Sequence, residues 1–406
     1  MVPRYERVAL WLIVMLLRHN PYTVLASGIF ALILALGVAR FSYTPMIPYM
    51  QEQTGMGEAL AGWLAGWNYL GYLSGVFIVT HLHGIVLKDI CYRGGLILAV
   101  VTTLMMGLGS SPWLWGVSRY LAGISSAAGL MLGSGLILNW LMRHNHRSEL
   151  GLHFTGVGLG IVVGAIAVEV AAKTLSWQGQ WLALTALGSL LLIPAWFGLP
   201  YADKNAASIS QHPTAGKPPT KAWLWLLQIA YLCAGFGYVI NATFTVVIVE
   251  QQPALQGQGV LMWLLVGLAA TPAPILWDYV ARRLGYLRTL QLAFIMQTAG
   301  IVLPVCNGSL SAAIFSAFLF GVTFIGIVSL VLTMVGIRFP DQPAQIMARL
   351  TLGYSIAQIV GPVVAGEAAE LTGSFNGSLV IVGGFMLAGL TCLEFMKRLK
   401  VVHGEL

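Results

Sequence analysis

Runs of about 20 or more consecutive apolar residues constrain this chain more than any motif in it. A helix crossing a ~30 Å hydrocarbon core needs about that many, whereas a membrane barrel would show alternating segments of ~10 residues. The runs and their breakers place spans at about 22–50, 58–80, 94–110, 112–142, 151–173 and 179–200. A second set follows at about 223–249, 258–281, 287–306, 309–337, 347–371 and 377–396. The expected fold is an all-α membrane protein with twelve transmembrane helices in two pseudo-symmetric six-helix bundles. Composition agrees, since a chain that is 58% hydrophobic and only 9% charged is no ordinary soluble domain.

The two sets are separated by "YADKNAASISQHPTAGKPPTK", a polar stretch without periodic apolar residues. It divides the chain into an N-terminal bundle at 21–200, a cytoplasmic linker at 201–222 and a C-terminal bundle at 223–398, with a tail at 399–406. Residues 1–20 contain "VALWLIVMLL", too short to span, and are expected to form a cytoplasmic or interfacial segment.

Charge tests this map. A net charge of +7 would point to nucleic acid in a soluble chain, but here the basic residues lie between spans. All 21 Lys and Arg except Lys173, Arg40 and Arg119 fall on one side, which is a positive-inside pattern with both termini in the cytoplasm. No nucleic-acid partner is expected; the partners are the bilayer, a small-molecule substrate and protons, and the chain is expected to be a monomer. Cys91, Cys233, Cys306 and Cys392 show no C-x-x-C spacing and read as small apolar residues.

The halves share features at an offset of about 200 residues, the mark of an internal repeat. Gly156 and Gly164 match Gly353 and Gly361, Glu169 matches Glu367, and Leu121 and Gly123 match Leu319 and Gly321.

Three local patterns carry a family resemblance. "PILWDYVARRLG", Pro274 to Gly285, and its worn copy "HGIVLKDICYRGG" hold an acid followed by basic residues between spans eight and nine and between spans two and three. "RYLAGISSA" supplies Arg119, Gly123 and Ala127 in span four. The chain resembles the major facilitator superfamily, and "GVARFSYTPMIPYM" followed by "AGWLAGWNYLGYLSG" resembles its YbfB-like bacterial branch. The resemblance implies a transporter of the bacterial inner membrane. It also implies conformational gating by Asp89, Arg93, Asp278 and Arg282, a cavity lined by spans one, four, seven and ten, and a link of Arg119 to substrate and proton coupling.

A lone charge at the centre of a span costs about 2.5–3.5 kcal/mol, so such residues face a cavity or a partner. Arg40, Arg119 and Glu169 fall at overlapping depth in spans one, four and five. Two readings stand: Glu169 neutralises an arginine for packing alone, or an arginine holds an anionic substrate while Glu169 exchanges a proton. Tyr43 and Thr44 lie three and four residues beyond Arg40, on its helix face. Tyr238, Asn241 and Thr245 in span seven, Thr323 in span ten, and Asn68 and Gln358 complete the candidate substrate set. Interhelical hydrogen bonding is the competing explanation for each.

Other features have simpler readings. The glycine runs of spans four and five fit close helix packing. Pro45 and Pro48 read as a helix terminus. His81, His83, His144, His146 and His153 read as a hydrated cytoplasmic surface, and no metal set is expected.

No G-x-S-x-G, H-E-x-x-H or G-x-x-x-x-G-K-[ST] occurs, so neither a hydrolase site nor an ATP-binding loop is expected, and no cofactor. The leading expectation is a proton-coupled secondary transporter of a small organic solute, tilted by the arginines toward an organic anion and working by alternating access. A proton-driven exporter of hydrophobic drugs is the alternative, and a membrane-embedded lipid enzyme a distant one.

Overall fold

The computed structural model describes residues 20–146, 150–202, 220–339 and 343–402. The expected N-terminal segment and nearly all of the linker lie outside these residues, as does the end of the tail. Among the described residues there is no strand; the chain is a succession of helices.

The helical elements are α1 (Pro21–Thr54), α2 (Glu58–His81), α3 (Ile85–Leu108), α4 (Pro112–Arg143), α5 (Leu150–Ala172) and α6 (Trp177–Phe197). After the linker come α7 (Lys221–Glu250), then Gly259–Ala270 and Ala273–Leu284, which meet at a 45° bend and are taken together as α8. The chain continues through α9 (Tyr286–Cys306), α10 (Leu310–Arg338), α11 (Pro343–Thr372) and α12 (Asn376–Val402). Nine helices among the described residues are long and apolar enough to cross a membrane, ten if the bent pair is one span. α2 and α11 have the length but dilute their apolar residues, α2 with Gly62, Gly66, Gly71 and Gly75, and α11 with Arg349, Glu367 and Glu370.

Two boundaries depart from the sequence reading. α3 begins at Ile85, not near 94, because the acid and base of its first turns form an i,i+4 ion pair within the helix. Gly84, at φ 82°, makes the sharp entry that a side chain would resist. α1 does not end at its prolines; it runs through Pro48 to Thr54, and Gly55 at φ 73° closes it in the left-handed conformation.

Small residues set the close approaches. A Cβ on Gly160 of α5 would stand 2.8 Å from the Gly37 Cα of α1. Likewise a Cβ on Gly62 of α2 would strike the Pro362 carbonyl of α11, and one on Gly158 of α5 the Thr271 amide at the bend of α8. Without a hydrophobic drive between helices in lipid, such backbone proximity is what dispersion and tight packing require.

One end of the molecule is latched. The first turn of α2 has no side-chain cap of its own; Glu370 of α11 accepts from the Ala59 amide at 2.8 Å, placing a carboxylate at a helix N-terminus. Trp63 Nε1 donates to Glu367 at 3.0 Å, Gln251 beyond α7 donates to Glu58 at 3.2 Å, and Thr44 of α1 donates to the Ala242 carbonyl of α7 at 2.6 Å. These contacts tie α1 and α2 to α7 and α11.

Candidate functional site

The site grows out of an irregular stretch of α1. Residues Ile33–Phe41 form a π-helix, a wide turn that single-turn bulges commonly bring to functional sites. The Ser42 amide closes it on the Gly37 carbonyl at 2.9 Å, an i,i+5 bond. Pro45 has no N–H to return to the Arg40 or Phe41 carbonyls. Arg119 of α4 supplies donors at this point, bonding the Ala39 carbonyl at 3.0 Å and the Arg40 carbonyl at 3.3 Å. Its guanidinium lies 4.4 Å from the Tyr43 ring centre. Asn68 donates to the Arg119 carbonyl at 2.8 Å, and the Tyr43 hydroxyl to the Ala61 carbonyl at 3.0 Å. Arg119, Asn68 and Tyr43 thus join α1, α2 and α4, with Arg119 Nε and Asn68 Oδ1 left buried without partners.

Arg40 is different. It is 6% exposed, and no carboxylate among the described residues pairs with it. Its Nε is buried without a partner, as is that of Arg119, but Arg119 has its other nitrogens on the Ala39 and Arg40 carbonyls. The Arg40 guanidinium lies 4.5 Å from the Tyr69 ring centre and 4.8 Å from that of Tyr72. A desolvated cation on an aromatic face gains about 2 kcal/mol, which offsets much of its insertion cost. The rings make the charge tolerable without neutralising it.

Tyr69 connects this cage to a second aromatic group. Its hydroxyl is 3.4 Å from that of Tyr238, with the rings nearly perpendicular. Tyr238 of α7 stacks with Phe324 of α10 at 5.5 Å and with Tyr354 of α11 at 6.1 Å, and Tyr231 stacks on Tyr354 at 4.5 Å. Sequence reasoning named Tyr238 and missed Tyr69, Tyr72, Tyr231, Phe324 and Tyr354. The signal was present: Tyr231 and Tyr238 are seven residues apart, two turns of one face.

The remaining expected residues are scattered. Thr44 leaves Arg40 for α7, because the wide π turn breaks the spacing that would hold positions three and four residues on beneath Arg40. Asn241 and Thr245 line a small pocket of about 30 Å³ with Gln252, Asn307, Ser316 and Phe320. Thr323 bonds carbonyls of its own helix, at Leu319 and Phe320. Gln358 is buried one turn beyond Tyr354.

Glu169 does not join either arginine. It is exposed on α5, in electrostatic range of Tyr49, as are Glu52 and Glu250. The expected ion pair fails on depth: Gly160 meets Gly37 and Gly164 meets Ser42, so Glu169, five residues further along α5, is level with Tyr49 and past both arginines. His153 corrects another expectation. It is fully buried in the first turns of α5, its Nε2 3.0 Å from Ser134 Oγ, rather than on a hydrated surface.

The two acid–base motif copies also differ. Arg93 bonds Asp89 at 3.1 Å and caps the end of α6 through the Trp196 and Leu199 carbonyls, with its guanidinium 3.9 Å from the Tyr201 ring centre. Both charges are buried within the first half of the chain. Arg282 and Asp278 pair at 2.8 Å on an exposed turn of α8.

Comparison with known proteins places these features in a wider set. Residues 32–393 match the family described as "Uncharacterised MFS-type transporter YbfB". A gentisate transporter of Corynebacterium glutamicum is 20% identical over 375 residues, covering 87% of this chain and 83% of the relative. Among solved structures, the nucleoside transporter NupG is similar with a TM-score of 0.68 at 13% identity, over 94% of this chain and 99% of NupG. A bacterial homolog of the human lysosomal transporter Spinster, in an inward-facing and occupied conformation, is similar at 0.67 and 13% identity, over 93% of this chain and 96% of that one.

Proposed function

Because the chain belongs to the YbfB-type family of major facilitator superfamily transporters, we propose that this multi-pass membrane transporter moves a small organic anion by alternating access. The carrying observation is Arg40, a buried guanidinium caged by tyrosines with no carboxylate partner. An intramembrane cation that packing has not neutralised is suited to an anion that arrives and leaves. The similarity to a gentisate transporter supports an organic anion over a hydrophobic drug.

In this reading two halves of six spans each, joined by the 201–222 linker, rock about the Arg40 region. The latch from Glu370, Glu367 and Thr44 closes the outer end. The distribution of Lys and Arg puts both termini in the cytoplasm of a bacterial inner membrane. Asp89, Arg93, Asp278 and Arg282 serve the inner end; the first pair does so by fixing the exit of α6 into the linker.

Proton coupling is assigned to Glu169. It is a membrane-depth carboxylate that no arginine neutralises, and it lies in electrostatic range of Tyr49 on α1. Uptake of labelled organic carboxylates into proteoliposomes tests the proposal. An inward proton gradient is expected to accelerate uptake, and Glu169→Gln to abolish that acceleration. Uptake of no carboxylate under any gradient would overturn the anion reading; gradient-driven uptake that survives Glu169→Gln would remove Glu169 from coupling.

A further inference from the structure

The Arg40 region holds more information about its ligand than charge alone. Of the two buried arginines at this level, Arg119 has its two terminal nitrogens on backbone carbonyls and only its Nε unpartnered, so the guanidinium that bonds no carbonyl, that of Arg40, is the one open to an anion. That limits recognition to one carboxylate at this point.

Opposite Arg40 stands a wall of rings from three helices. Tyr238 is within 25° of parallel to Phe324 and Tyr354, and also to Phe320, whose centre lies 6.5 Å away. Tyr238 and Tyr354 are also close enough to interact electrostatically with the guanidinium. Packing between α7, α10 and α11 accounts for the rings touching one another. It does not account for the phenol groups of Tyr238 and Tyr354 standing within electrostatic reach of a cation that no carboxylate among the described residues pairs with.

The seam between cage and wall is closed by a weak contact. The Tyr69 and Tyr238 hydroxyls are 3.4 Å apart, well beyond the 2.7–2.8 Å preferred by O–H···O bonds, and the rings meet edge to face. A planar ring entering there would exchange that contact for stacking on Tyr238 and Phe324.

We propose that the substrate is an aromatic monocarboxylate, its carboxylate on Arg40 and its ring against Tyr238 and Phe324. The Tyr69 and Tyr238 hydroxyls, once separated, bond polar substituents on that ring. This inference rests on the organic-anion reading and adds the ring, the single carboxylate and the residues that select them. Aromatic stacking corresponds to a preference of up to roughly tenfold over a non-planar ring of similar size.

The test compares benzoate with cyclohexanecarboxylate, which share a carboxylate and a six-membered carbon ring but differ in planarity. Binding of each is measured by thermal shift titration on the purified full chain. Native protein is expected to bind benzoate several-fold to tenfold more tightly, and Phe324→Leu and Tyr238→Leu to bring the ratio close to one. Equal affinities in the native protein, or a ratio untouched in a folded Phe324→Leu variant, would overturn the ring slot while leaving the anion reading intact. If neither acid binds, or if both bind undiminished to Arg40→Gln, the anion reading falls and the ring slot with it.

Discussion

Two arginines that look alike in the sequence do different work. Neither pairs with a carboxylate among the described residues and each has an unpartnered Nε, but Arg119 bonds two carbonyls of the π segment while Arg40 lies among tyrosine rings. Substituting Arg119 by Leu should therefore cost about 1–3 kcal/mol, the cost of stranding buried acceptors, and lower the melting temperature in detergent. Lysine should recover only part of it, because one ammonium cannot reproduce the planar fork that reaches both carbonyls. The burial of both arginines was legible from their place in apolar runs. Glu169 shows the limit of reading depth from span ends: the contact of Gly164 with Ser42 puts it level with Tyr49, past both arginines. Arg119's partners were not readable, because they depend on the π turn and on where α4 crosses α1.

At the scale of elements, the helices were legible from the length of apolar runs, nine of those described, or ten with the bent pair, being long and apolar enough to span, while their ends were set by local chemistry. α3 extends back to Ile85 because Asp89 and Arg93 pair along the helix, and α1 continues past two prolines because Gly55 supplies the terminating conformation. The π segment had no clear signature, since it is held by tertiary contacts at Gly37, Ser42 and Arg119. The Gly37–Gly160 contact should tolerate no bulk. Gly160→Leu is expected to destabilise by about 1–3 kcal/mol through overpacking in thermal unfolding. Gly94→Ala, at a helical position with no neighbour within 4 Å, should leave the melting temperature unchanged.

For the whole molecule, the break at residues 201–222 and the recurring features at an offset of about 200 pointed to two related halves. What the sequence did not reveal is how they meet: a latch through Glu370 and Glu367 at one end, and a seam of tyrosines between Arg40 and α7, α10 and α11. If alternating access governs transport, Glu370→Ala loosens the outer end. A cysteine at Ala242, in a background lacking the four native cysteines, should then react several-fold faster with an impermeant maleimide added outside cells. An unchanged labelling rate would mean that the latch does not hold that end.

The central claim is that Arg40 is an anion anchor and not a structural cation. The most direct measurement is the melting temperature of purified native and Arg40→Gln protein, each titrated with an organic carboxylate and with its uncharged amide. The account predicts a concentration-dependent rise with the carboxylate in the native protein only, and no rise with the amide in either. An equal carboxylate-induced rise in a folded Arg40→Gln variant would contradict it.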